Sequence, residues 1–211
     1  MKNDWEYGDY CQKYNMSGEI QIGTGIVKVH NIFDELPAFM KSADCVFCDP
    51  PCSKQNINSF YTKAGRTDYQ EDYKPFFERF FQIVDEIKPK NLFVEVFKSN
   101  KEDFMRACQE RYIQVAISES TYYHNKKNKC WIIQATSSHP IIRFNGIDEQ
   151  DAIELICKAV NFECIADPCM GKGLVGYYAN KYGKKFVGTE LNPKRLAVLF
   201  ERINTGKLIM R

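Results

Sequence analysis

Ile165-Ala166-Asp167-Pro168-Cys169-Met170-Gly171-Lys172-Gly173 is the stretch on which the reading of this chain turns. An apolar strand, predicted from Phe162 to Ala166, ends in an acid, passes two glycines and opens a helix predicted over about 173–182. Gly171 and Gly173 allow a tight turn and let backbone N–H groups approach a ligand closely. A second strand, Lys185 to Thr189, follows and ends in Glu190, ahead of Leu191-Asn192-Pro193. An acid about 20 residues beyond a glycine turn is placed to hold the two hydroxyls of a ribose. Asp167 stands too close to the glycines for a dinucleotide fingerprint, and only two glycines are present. A methionine-type ligand suits the pattern better, with Asp167 facing its ammonium group. The plain alternative is a Gly-rich corner with a chance acid, and the interval to Glu190 weighs against it.

Upstream, Ala43-Asp44-Cys45-Val46-Phe47-Cys48 reads as a buried strand over 43–48 that runs into Asp49-Pro50-Pro51-Cys52. Two prolines remove two N–H donors and leave carbonyls that only accept. The Asp49 carboxylate and the Pro50 carbonyl are then neighbouring acceptors at a strand end, suited to a planar NH2 group. Carboxyl ends of parallel strands are where ligands bind in open α/β sheets. A Pro-Pro loop that merely ends a core strand is the plain alternative. Cys45 and Cys48 form C-x-x-C, but residues three apart on a strand face opposite ways, and no second pair completes a metal site, so no metal is expected.

The remaining chain predicts strands alternating with helices. Gly25 to His30 alternates like a strand, and Ile32 to Phe39 reads as a short helix or turn. Lys54 to Asp72 is polar without a clean period and reads as a long functional loop carrying Phe60, Tyr61, Tyr69 and Tyr73. Lys54, Lys63 and Arg66, interleaved with Phe60 and Tyr61, are candidates for holding a single strand or an extruded base, against a solvated loop as the plain alternative. Phe76, Phe77, Phe80, Phe81, Val84 and Ile87 follow helical spacing, and Asn91 to Val96 reads as a strand. A helix over Lys101–Tyr112 precedes two strands, 113–118 and 129–136, joined by a turn at Asn125-Lys126-Lys127-Asn128. Asp148 or Asp151 caps a helix to about Val160, and a last helix spans about 193–204. The result is a single α/β domain over 21–211 with a mainly parallel sheet, behind an irregular lead-in over 1–20.

At 211 residues with 44% hydrophobic content the chain supports one sizeable core. A net charge of +2 permits a polyanionic partner without demanding one. The N-terminus does not read as a secretory signal, no apolar run is long enough for a membrane span, and the nine cysteines sit mostly in apolar stretches. A cytoplasmic protein with reduced thiols is expected.

These motifs resemble those of the DNA amino-methyltransferases that act on adenine N6 or cytosine N4. Asp49-Pro50-Pro51-Cys52 resembles their catalytic D-P-P-Y, and Asp167-Pro168-Cys169-Met170-Gly171-Lys172-Gly173 their cofactor motif D-P-F-x-G-x-G. Phe186 to Pro193 is similar to the ribose-binding strand that follows, and Val29-His30-Asn31 occupies the place of a turn that contacts the cofactor adenine. The resemblance covers roughly 22–205, and the catalytic motif precedes the cofactor motif, the order of the circularly permuted β-type subgroup. It implies S-adenosyl-L-methionine as cofactor and a Rossmann-like, mostly parallel seven-stranded sheet with one antiparallel hairpin. It also implies direct methyl transfer to an amine held by Asp49 and the Pro50 carbonyl, with Asp167, Pro168, Gly171, Gly173, Glu190, Asn192 and Asn31 at the cofactor. DNA is the implied partner, with the base extruded if it starts in a duplex.

Two departures stand out. Cys52 replaces an aromatic that stacks on the base, a contact worth about 1–3 kcal/mol, and Phe60 or Tyr61 is a candidate to compensate. Only Ser137–Asp148 occupies the place of the usual target-recognition region, and Ser138-His139-Pro140 resembles a pre-cofactor loop without its Lys-Pro. A second subunit completing the nucleic-acid surface is compatible with so small a chain. The competing readings are the same chemistry on RNA, a nucleotide or a protein amide, and a subunit of this fold that binds nucleic acid or a protein without turnover.

Overall fold

The strand predicted at 43–48 forms as β3 (Cys45–Cys48), and its alternation sorts the core into two layers. Val46 and Cys48 pack into one apolar cluster, whereas Cys45 and Phe47 pack into the other, on the opposite face. The two thiols of the C-x-x-C therefore point apart, as the strand reading requires. The computed structural model describes residues 7–68, 70–137 and 140–208.

Around β3 lie β1 (Glu19–Ile22), β2 (Gly25–Val29), β4 (Asn91–Val96), β5 (Gln114–Tyr122), β6 (Asn125–Thr136), β7 (Cys164–Asp167) and β8 (Lys185–Glu190). They form one eight-stranded sheet in the order β1-β2-β8-β7-β3-β4-β6-β5. β2, β8, β7, β3 and β4 run parallel, β6 is antiparallel to β4, and β5–β6 is the antiparallel hairpin. α2 (Lys54–Lys63), α3 (Lys74–Ile87) and α4 (Lys101–Gln109) place Ile57, Phe80 and Phe104 in the first cluster. α5 (Glu149–Ala159), α6 (Leu174–Lys181) and α7 (Pro193–Thr205) place Ile156, Val175 and Leu199 in the second. Helices on both faces bury the inner strands, and β3 and β4 are buried at every position.

Four expectations change. The lead-in is structured from residue 10: α1 (Tyr10–Lys13) lies beside α7, where Lys13 and Tyr14 both bond Glu201, and β1 pairs with β2. The boundary drawn at residue 20 thus falls inside a strand, and β1 makes the sheet eight-stranded rather than seven. The first part of the expected loop at 54–72 is α2, whose Ser53 cap accepts from the Asn56 N–H. Its buried side chains are only Ile57 and Tyr61, too few to create a visible apolar period. The hairpin turns at Tyr123-His124 rather than at 125–128, with both residues at positive φ (61° and 49°), and 125–128 belongs to β6. Tyr69 and Ser138-His139 lie outside the described residues.

Candidate active site at the carboxyl edge of the sheet

From β7 the chain crosses to β8 on one side, whereas β3 is followed by β4 on the other. That reversal opens a crevice at the carboxyl ends of β7 and β3, the place where ligands bind in open α/β sheets. A cleft of about 690 Å³ occupies it. Asp49, Pro50, Pro51 and Cys52 line this cleft together with Asp167, Pro168, Gly171, Glu190 and Asn31. Two motifs more than a hundred residues apart in sequence thus meet in one cavity.

The turn at 167–173 is held by two acids. Asp167 Oδ1 accepts the Cys169 N–H at 3.0 Å. Glu190 Oε2 accepts the Gly171 N–H at 2.7 Å, and Oε1 accepts the Asn192 N–H at 2.9 Å. Each Glu190 oxygen keeps a further lone pair for a hydroxyl. Gly171 and Gly173 have φ of 54° and 72°, where side-chain-bearing residues are strained, and a Cβ on Gly173 would lie 2.6 Å from Leu199 Cβ. Asn31 is 8% exposed and accepts from Tyr61 Oη at 2.9 Å, and the His30 N–H donates to the Glu190 carbonyl.

At the other end, Tyr73 Oη donates to the Pro51 carbonyl at 2.8 Å, and Asn100 Nδ2 donates in turn to Tyr73 Oη. Among the described residues no hydrogen bond is made to the Pro50 carbonyl, so it and the Asp49 carboxylate are the acceptors presented at the strand end. Asp49 is exposed to the cleft, with protein atoms packed around the base of its side chain. Desolvation by the surrounding protein raises its pKa to about 6, with Arg195 pulling the other way.

The strand order places four acids in a row. Glu190 ends β8, Asp167 ends β7, Asp49 follows β3, and Glu95 stands near the end of β4. Burial raises the pKa of Asp167 and Glu190 as well as Asp49; neighbouring acids add to the rise at Asp167, and Arg195 opposes it at all three. Such a row is destabilised when it is empty and is relieved by a cation.

Several expected residues lie elsewhere. Asn192 is 2% exposed; its Oδ1 caps α7 by accepting the Lys194 N–H, and its Nδ2 donates to the Lys63 carbonyl. Its side chain positions the turn instead of lining the cleft. Gly173 also serves the turn from outside the lining. Lys54 and Lys63 are exposed on α2, and Arg66 is paired with Asp68 while lying over the Tyr61 ring. None of these three cations lines the cleft. Phe60 does, but Arg195 covers its ring at 4.9 Å, and Tyr61 is tied to Asn31. Both line the cleft that Cys52 also lines. Cys52 Sγ donates to Asn56 Oδ1.

Arg195, Glu95, Phe97 and Tyr122 line the cleft without having been singled out in the sequence. Arg195 had one available signal, since a cation in the first turn of a helix opposes the helix dipole and so calls for another reason to be there. Among the described residues, carboxylate oxygens of Asp49, Glu95 and Glu149 lie within 4.8 Å of one another. No described helix is long and apolar enough to cross a membrane.

No protein-family model and no curated protein sequence matches the chain. Solved structures do. M1.HpyAVI in complex with SAM superposes with a TM-score of 0.58 at 11% identity, over 84% of this chain and 98% of that one. TTHA0409 from Thermus thermophilus, complexed with S-adenosyl-L-methionine, gives 0.52 at 14% identity, over 78% and 86% of the two chains. The cytosine-N4-specific PvuII DNA methyltransferase gives 0.52 at 12% identity, over 87% and 94%. The fold is therefore the α/β fold of S-adenosylmethionine-dependent methyltransferases, with one antiparallel hairpin on a mostly parallel sheet.

Proposed function

We propose that the chain transfers a methyl group from S-adenosyl-L-methionine to the exocyclic amino group of a DNA base, adenine N6 or cytosine N4. The observation that carries this reading is the meeting of Asp49-Pro50 with Asp167, Gly171 and Glu190 in one cleft at the sheet's switch point. The motif order corresponds to the permuted β-type subgroup. The structures similar in fold include two solved with the methyl donor and one cytosine-N4-specific DNA methyltransferase.

When bound, the donor supplies an electrophilic methyl group on a sulfonium. The chain's own residues do the rest. Asp167 and Glu190 orient the donor, and the Asp49 carboxylate and Pro50 carbonyl each accept one amine N–H. Those two bonds draw the nitrogen lone pair out of conjugation and aim it into the cleft. The proton released after transfer passes to an Asp49 oxygen, whose pKa near 6 suits both acceptor and base roles. Phe97 and Tyr122, packed edge to face at 5.6 Å, flank the base in place of an aromatic at Cys52.

The test is labelled-methyl transfer to unmethylated duplex DNA, single-stranded DNA, RNA and nucleotides in parallel. Label on a DNA amino group is expected. Measurable donor binding with label on no acceptor refutes the reading and favours a binding subunit.

A further inference from the structure

β3 and β4 are parallel neighbours with Phe47 opposite Phe93 and Cys48 opposite Val94, so the next pair in register is Asp49 and Glu95. Phe47 and Phe93 lie in the same core cluster, and Asp49 and Glu95, two residues on, continue that face. Glu95 lines the same cleft, yet it is only 1% exposed and, among the described residues, its Oε2 has no hydrogen-bond partner. Buried polar atoms in native proteins are rarely left unpaired, and the exceptions call for a ligand or a role.

Resting on the methyl-transfer reading, we propose that Glu95 is a specificity-determining residue, whose carboxyl group hydrogen-bonds the ring nitrogen next to the amino group held by Asp49 and Pro50. Adenine (N1 beside the 6-amino group) and cytosine (N3 beside the 4-amino group) share this N=C–NH2 fragment. An amine donates and the adjacent ring nitrogen accepts, so the fragment needs an acceptor and a donor side by side. Asp49 is the acceptor, and a carboxylic acid one strand over is the donor.

The surroundings keep Glu95 in that neutral form. Burial is the largest cause, followed by the charges of Asp49 on the β3 side and Glu149 at the start of α5, with Asp148 adding to them. Cys130 on β6 opposes through a hydrogen bond, and the net result is a pKa well above the ordinary glutamate value. A ring that carries the amine but has carbon in place of the nitrogen leaves the donor buried and unpaired, which is how polar sites reject close analogues.

The experiment compares the wild-type chain with E95Q and E95L on DNA oligonucleotides carrying either the normal target base or its deaza analogue, 1-deazaadenine or 3-deazacytosine. kcat/KM is read from pH 6 to 10, with S-adenosylmethionine affinity as the control. The wild type is expected to prefer the normal base by roughly 10- to 100-fold and to lose activity at alkaline pH as Glu95 ionises. E95Q keeps an N–H donor that cannot ionise. It retains the preference and loses the alkaline fall. E95L turns over the normal base roughly 10- to 100-fold more slowly and no longer distinguishes the two bases, with donor affinity unchanged. A wild type that uses both bases equally overturns the inference, as does an E95L that keeps the preference. Activity abolished by EDTA and restored by a divalent cation also overturns it, because the three acids would then be metal ligands. If E95L fails to fold, the alkaline limb decides: its persistence in E95Q refutes the role. A wild type that methylates no DNA refutes the parent reading, an outcome separate from any behaviour of the variants.

Discussion

Replacing Glu190 by Gln changes one oxygen of the carboxylate into an NH2 group, and the geometry leaves no harmless place for it. Oε1 faces the Asn192 N–H at 2.9 Å and Oε2 faces the Gly171 N–H at 2.7 Å, so either amide orientation sets a donor against a donor. A hydrogen bond to a charged group contributes about 1.5–3 kcal/mol, and one is lost while the other becomes neutral. Removing a buried charge offsets part of this, because burial already disfavours ionised Glu190. The unfolding free energy is therefore expected to fall by about 1–2 kcal/mol. Binding suffers separately, since one ribose hydroxyl loses an ionised acceptor worth a similar 1.5–3 kcal/mol, which predicts a roughly 10- to 150-fold weaker Kd for S-adenosylmethionine. Calorimetric titration measures the affinity and urea unfolding the stability. Glu154→Gln, at a surface pair with Lys181, is the control expected to leave affinity unchanged. A Glu190→Gln Kd within threefold of the wild type would show that Glu190 only braces the turn.

Other outcomes follow from the same geometry. Asp49→Asn should lower methyl transfer by at least about 100-fold, the scale of a lost catalytic base or acceptor, with donor Kd within a few-fold of the wild type in the same titration. With the Asp49 pKa near 6, kcat/KM for DNA should rise with pH through about 6 to a plateau that precedes the alkaline fall expected from Glu95, and a flat profile from pH 5 to 8 would contradict the acceptor role. The same shift affects stability: Asp49 binds its proton more tightly folded than unfolded, so its contribution is present below pH 3.8 and lost as pH rises through about 6. Glu95 and Asp167 shift the same way, so the melting temperature of the free protein should fall from pH 5 to 8, and saturating donor should reduce that fall. Tyr73→Phe removes the bond to the Pro51 carbonyl and should cost about 0.5–1.5 kcal/mol in urea unfolding, slowing transfer more than it weakens donor binding. Gly173→Ala combines a positive φ with a contact on Leu199 and should destabilise by about 2–4 kcal/mol, read as a lower urea midpoint.

How much of this was legible in the sequence depends on how local each signal is. α3 was readable because Phe76, Phe80, Ile83, Val84 and Ile87 all reach the core from one face. β3 and β4 were readable because helices cover both sheet faces and every position is apolar or buried. α2 was not, since its stability comes from the Ser53 cap and two buried side chains, with the rest of its surface polar. β1 escaped because its alternation, Glu19-Ile20-Gln21-Ile22, runs for only four residues at a sheet edge and buries no side chain fully. The hairpin turn was misplaced because Tyr123-His124 adopts the left-handed conformation that Asn and Gly usually mark, and Asn125 to Asn128 supplied those marks nearby. Asp148 holds the real turn, accepting the His124 N–H at 2.8 Å from the end of a different helix.

The same distinction explains the site. Asp49, Asp167 and Glu190 were legible because each sits in a local motif with its own turn chemistry, whereas Glu95 lies inside a strand where the sequence shows only one charged residue among apolar ones. What gives Glu95 a meaning is register, the pairing of Cys48 with Val94 that makes Asp49 its neighbour. In sequence the acids come in the order 49, 95, 167, 190. Across the sheet they run 190, 167, 49, 95, because β8, β7, β3 and β4 are adjacent in that order. Adjacent strands stand about 4.8 Å apart, so on the proposed reading the row lays out the ribose partner, the ammonium partner, the amine acceptor and the base-reading acid along one ligand-sized line. Chain topology, rather than any single motif, thus sets the direction in which donor and acceptor must approach each other. Mutual repulsion and burial disfavour ionising this row when it is empty, and a cationic donor relieves that penalty. Bound donor should therefore favour the ionised Asp49 that accepts the amine and so tighten DNA binding. Linkage requires DNA to tighten donor binding by the same factor. A donor Kd that saturating DNA leaves unchanged would refute this coupling.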